Sequence, residues 1–163
     1  MKRVIITGIM LLAILVTFGS CESKKSVASN SLLNSSQIDF DVQYIRIGSG
    51  FGPRNPNSTV ISSMDELNQY PRSLSNRSFW ETEYTNAISK YSDSYFADNF
   101  LVIVLLEENS GSNRHKVERI EPNGNIFIKQ LIPEIGTADM ATWIIFIELN
   151  NNFRLEQYRV VLE

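Results

Sequence analysis

Seven consecutive residues, Phe100-Leu101-Val102-Ile103-Val104-Leu105-Leu106, carry no polar side chain and lie between the polar stretches Asp98-Asn99 and Glu107-Glu108. Successive side chains of a strand point to opposite faces, so a run of this length predicts a central strand covered on both faces. The run anchors the fold, and the rest of the chain has to supply its cover.

Ile38, Phe40, Val42 and Tyr44 alternate with Asp39, Asp41 and Gln43, the period of a strand with one wet face; Ile45 and Ile47 then switch parity as after a bulge. Gly48, Gly50, Gly52, Pro53 and Pro56 mark a loop, with no Lys-Ser or Lys-Thr behind it to make a phosphate cradle. Ser63 three before Glu66, and Ser78 three before Glu81, predict two helix starts. In the second helix Trp80, Tyr84, Ala87, Ile88 and Tyr91 form one apolar face. Further strands are expected near 116–121, 126–132, 143–149 and 158–162, with Asn123-Gly124 as a hairpin turn. The fold class is therefore α+β: a twisted, mainly antiparallel sheet of about six strands with two short helices packed on one face, around a single core.

The N-terminus reads as an address. Lys2 and Arg3 precede the apolar stretch Val4 to Phe18, whose length suits a signal segment and falls short of a typical membrane span. Gly19, Ser20 and Cys21 follow, a pattern that resembles the lipobox of bacterial lipoproteins, with Phe18 where that box more usually has Leu. The resemblance implies that residues 1–20 are removed, that Cys21 carries lipid, and that the protein is exported and anchored to the outer face of the cell membrane. Residues 21–37, rich in Ser, Asn and Lys, predict a flexible tether, leaving 38–163 as one domain. With Cys21 the only cysteine, an internal disulfide is excluded.

The net charge is -3, and Lys2 and Arg3 leave with the signal segment, so the mature chain is more acidic still and nucleic acid is not an expected partner. Chemistry-bearing residues are sparse. His115 is the only histidine, and beside Arg114 and Lys116 it is expected at the surface. Ser110 and Ser112 have no marked base or orienting acid near them. Glu107 and Glu108 diverge to opposite faces, Asp39 and Asp41 lack a calcium-loop glycine, and one cysteine with one histidine cannot form a structural zinc site. No cofactor, metal or catalytic residue is expected, and the protein is expected not to be an enzyme. The polar tip Asn109 to Asn113 remains as a contact loop, with Ser110, Gly111, Ser112 and Arg114 as partner-contact candidates and none of them in the core.

From about Val60 onward, the order of Ser63-Met64-Asp65-Glu66-Leu67, a helix, the apolar strand 100–106, a Gly/Ser tip and a hairpin resembles the C-terminal domain of the protease complex subunit PrcB. It is also similar to lipoproteins of Gram-positive bacteria with the Ser110-Gly111-Ser112 tip followed by Arg114-His115-Lys116. Where the PrcB domain has a Gly-Gly pair, this chain has Ser-Gly-Ser. The resemblance implies a lipoprotein that associates with another extracytoplasmic protein, a protease in that family, without catalysing a reaction. The alternative expectation is a small-molecule or glycan receptor using exposed Trp80 or Trp143; Trp143 is core if it shares a face with Ile145 and Ile147. The anchor has a direct check: Cys21→Ala is expected to abolish incorporation of labelled fatty acid in the producing bacterium, and equal labelling of variant and wild type would contradict it.

Overall fold

The computed structural model describes residues 38–48, 53, 55–74 and 80–163. The signal segment, Cys21, the tether, Gly50, Gly52 and Ser78 lie outside the described residues. All described residues belong to one unit, 33–163.

The architecture is α+β. Among the described residues, seven strands form two sheets: β1 (Asp41–Ile47), β2 (Asn57–Ile61), β3 (Asn99–Glu108), β4 (Arg114–Ile120), β5 (Asn125–Leu131), β6 (Ala141–Asn150) and β7 (Arg159–Leu162). The first sheet has the order β1-β6-β3-β2 and is antiparallel throughout; the second has the order β4-β5-β7. In the second sheet β4 and β5 form an antiparallel hairpin, while β7 runs parallel to β5. Gly124 sits at the hairpin turn with φ 87°, a conformation that the absent side chain permits.

The apolar run lies in β3, which pairs over its full length with β6, from Asn99↔Asn150 to Glu108↔Ala141. Both strands are buried on both faces. On one side Leu101, Ile103, Leu105, Ile144 and Phe146 pack against the helices; on the other Phe100, Val102, Val104, Leu106, Ile145 and Ile147 pack against the second sheet. The single core expected from chain length is thus two cores, one per face of the β3–β6 pair. The second sheet meets the first at both margins: Tyr44 Oη accepts from the Val117 amide at 2.9 Å, and Ser58 Oγ donates to the Tyr158 carbonyl at 2.5 Å.

The helical layer consists of α1 (Met64–Gln69), α2 (Glu81–Ile88) and α3 (Asp93–Asp98). Ser63 caps α1 by accepting from the Glu66 amide at 3.1 Å, and Glu66 reaches back to accept from the Ser62 amide at 2.6 Å. The helix gives way to a 3-10 turn at Tyr70–Ser73, where Pro71 supplies no amide hydrogen. The stripe from Trp80 to Tyr91 is buried as expected, and Tyr84 Oη donates to the Leu67 carbonyl at 2.7 Å.

Three elements differ from expectation. The parity change at Ile45 and Ile47 is no bulge, because β1 keeps continuous register with β6. Its second face turns apolar where the helical layer covers it. Strand β2 was hidden in the short Asn57–Ile61 segment, where only Thr59, Val60 and Ile61 favour a strand. Helix α3 adds a third helix, started by Ser92 accepting from the Tyr95 amide at 3.4 Å.

Two cores on opposite faces of one strand make a sharp expectation. Ile145 and Phe146 are neighbours in sequence and each is fully buried in a different core. Ile145→Ala and Phe146→Ala should each lower the unfolding free energy by about 2–5 kcal/mol. Denaturant unfolding checks this; either variant within about 1 kcal/mol of wild type would argue for an open face on the strand pair.

Candidate functional site

At the end of the apolar run the alternation of β3 continues, so Glu108 points the same way as Leu106 and enters the second core. It is only 5% exposed, and a bare carboxylate there would be costly. Three side chains from later in the chain meet it. Asn113 Nδ2 donates to Oε2 at 2.8 Å, and His115 Nε2 and Gln130 Nε2 approach Oε1 at 2.6 and 2.7 Å. Burial alone would push the Glu108 carboxyl upward. The hydrogen bonds from Asn113, His115 and Gln130, with the attraction of the neighbouring imidazole, outweigh it and hold the group below the usual carboxylate range. Because an ionised carboxylate only accepts, Nε2 of His115 carries the proton.

His115 is therefore not the surface residue expected from its basic neighbours: its side chain is 0% exposed. It shares the inward parity of Val117, while Arg114 and Lys116 take the outward positions. Its ring meets the edge of Trp143 at 5.5 Å between centroids. The other ring nitrogen, Nδ1, and the Trp143 indole nitrogen are buried without hydrogen-bond partners. An imidazole held by a carboxylate is the frame of a general base. Here, among the described residues, no hydroxyl is bonded to Nδ1, and the ring is buried.

Glu107 behaves as expected and points to the opposite face. Trp143 lies in the second core with Ile145 and Ile147, and Trp80 in the first. Neither indole is displayed, which removes the exposed aromatics on which a glycan site would have rested. Asp39 and Asp41 are exposed beside a concavity of about 580 Å³ that also includes Tyr95 and Glu148; the Glu148 carboxylate there is taken by Lys90 Nζ at 2.5 Å and Tyr91 Oη at 3.0 Å. Among the described residues no three His, Cys, Asp or Glu side chains group as metal ligands, and no helix is long and apolar enough to cross a membrane.

The expected contact residues are brought together, but as a foundation instead of a free tip. Ser110 Oγ donates to the Thr137 carbonyl at 2.9 Å, and the Thr137 amide lies 3.0 Å from Ser110 Oγ and 3.1 Å from Ser112 Oγ. Gly111 donates its amide to the Asp139 carbonyl at 2.6 Å and is buried under the Arg46–Asp139 ion pair. A Cβ at Gly111 would collide with both side chains of that pair. Arg114 remains exposed, yet its Nη1 donates to the carbonyls of Gly111 and Asn113 at 3.0 and 2.9 Å, and the guanidinium lies 5.4 Å over Trp143. The tip thus clamps the connector between β5 and β6, in which residues 132–140 are all exposed. Sequence reasoning passed over that connector; the signal was Ile132, Ile135 and Met140 in a loop marked by Pro133 and Gly136.

The Glu108 cluster has a pH signature. Its folded-state pKa is depressed, so the unfolded chain binds the proton more readily and stability is lost as pH falls. The contribution is complete above the unfolded value of about 4.3 and disappears on acidification toward the folded value. Glu108→Gln should cost about 2–3 kcal/mol at neutral pH, and the gap to wild type should shrink below about pH 4. Denaturant titrations at the two pH values decide it; a gap independent of pH would mean that the carboxylate's charge is not what holds the cluster. No protein-family model, curated protein or solved structure matches the chain.

Proposed function

We propose that the protein is a membrane-anchored extracytoplasmic lipoprotein whose domain is a non-catalytic, protein-binding accessory module of the protease-complex kind. The lipid on Cys21 supplies the anchor in this reading. The partner is another extracytoplasmic protein, and contact is made by the connector 132–140.

One observation carries it. Ile132 is 71% and Ile135 88% exposed, on a loop whose base is fixed by the Ser110, Ser112 and Gly111 contacts. Water-exposed isoleucines gain on burial, about 1.5–3 kcal/mol each when fully covered. A loop held by a rigid base loses little conformational freedom on binding. The contact therefore moves from Ser110, Gly111, Ser112 and Arg114, which are occupied in building the base, to Ile132, Ile135 and Met140. The buried imidazole, bonded through Nε2 to Glu108 and with Nδ1 meeting no hydroxyl, supports the non-catalytic part of the reading.

A photo-crosslinking residue at position 135 of the membrane-anchored protein should capture a discrete envelope protein, and one at exposed Ser94 should not. Ile135→Asp should reduce co-purification of that protein at least tenfold while leaving the melting temperature within about 2 °C. Capture that is equal at positions 135 and 94, or unaffected by Ile135→Asp, would place the contact elsewhere.

A further inference from the structure

The outward face of the three-stranded sheet is a second surface, built from different residues. Val117, Ile126 and Ile128 point into the core, so the alternating positions send Lys116 and Arg119 of β4, Lys129 of β5 and Arg159 of β7 to the outside. Phe127 and Val161, directly opposite each other across β5 and β7, lie among them. Three carboxylates accompany the four cations, Glu121 among them, close enough to act on Arg119 and bonded by Asn125 Nδ2 at 3.2 Å. Glu163 pairs with Arg119 at 3.0 Å, and Glu118 lies 3.5 Å from Lys116. Lys129 and Arg159 have no ion pair among the described residues.

Two features of this face are unexpected if it only meets water. Lys116 and Lys129 stand directly opposite each other in the β4–β5 register, and like charges in that position weaken a sheet. The excess of positive charge also sits on a protein whose net charge is -3. Strands are about 4.8 Å apart and rise about 3.3 Å per residue, so Lys116, Lys129 and Arg119 fall within roughly one screening length of one another and act on an external charge together, while Arg159, opposite Asn125, stands about 14 Å from Lys129.

We infer that this face docks on an anionic phospholipid bilayer. The cations are spread in two dimensions, which suits a plane of headgroup phosphates better than a single polyanionic strand. Between them Phe127, with the Arg119 guanidinium 3.5 Å over its ring, and Val161 offer apolar bodies to the boundary between headgroups and acyl chains. Each basic residue close to an anionic leaflet strengthens partitioning roughly fivefold. The domain would then lie against the membrane through this face, independently of the connector's isoleucines.

Lysine acetylation footprinting of the full chain tests this. The chain is mixed with vesicles of phosphatidylcholine alone, or of phosphatidylcholine and phosphatidylglycerol in equal parts. Labelling of Lys116 and Lys129 should slow about tenfold with the anionic vesicles, the scale of one to two such cations engaged. It should recover at high salt, while Lys90, on the helical layer, labels equally throughout. Lys129→Gln with Arg159→Gln should lower the protection of Lys116 at least fivefold, and Ile135→Asp should leave it intact, which separates this docking from the protein contact proposed above. Equal labelling rates with the two kinds of vesicle would overturn the inference. So would protection by single-stranded DNA without protection by anionic vesicles, which would assign the face to nucleic acid.

Discussion

A strand that is apolar on both faces cannot leave either face in water, and here the constraint is doubled because β3 and β6 are both of that kind and pair over ten residues each. Their pairing settles the backbone hydrogen bonds but leaves two apolar surfaces to cover. The helical layer takes one and the hairpin β4–β5 with β7 takes the other. Strands β1 and β2 close the margins of the first sheet, where Tyr44 of β1 bonds to Val117 of β4 and Ser58 of β2 to Tyr158, the residue before β7. The order of layers follows from the need to bury both sides of one strand pair.

The same geometry creates a difficulty at the strand's end and resolves it locally. The inward parity that buries Leu106 also buries Glu108, two residues later. Its cost is met by donors delivered from three places: Asn113 from the tip, His115 from β4 and Gln130 from β5. Satisfying that carboxylate fixes how the chain crosses from one sheet to the other. The crossing segment then presents Ser110, Gly111 and Ser112 to the connector, so that a buried charge, a polar tip and an exposed apolar loop form one continuous chain of contacts.

Much of this was legible in the sequence where a single periodicity decided the matter. The two-faced run at 100–106, the apolar stripe from Trp80 to Tyr91, the Asn123-Gly124 turn and the burial of Trp143 with Ile145 and Ile147 all depend on local spacing. What was not legible depended on partners distant in sequence. His115 looked exposed because Arg114 and Lys116 flank it, although its parity with Val117 already pointed inward. Ser110 and Ser112 looked free because Thr137 lies on another segment. The division into two sheets was hidden as well, since β7 follows β6 in sequence yet pairs in parallel with β5, a choice made by the second core and not by the intervening turn.

On this account the domain is a scaffold whose buried charge cluster gives fixed shape to two surfaces, an apolar loop and a basic sheet face, and both proposals inherit their geometry from it. The cluster is open to direct observation because His115 is the only histidine in the chain. A long-range proton–nitrogen NMR spectrum of the untagged protein should show one imidazole Nε2–H that exchanges slowly with water, and that protection should be lost in Glu108→Ala. A histidine whose ring proton exchanges as freely as that of an unfolded peptide would contradict the account, because the carboxylate would then lack one of its three partners and the crossing segment its anchor.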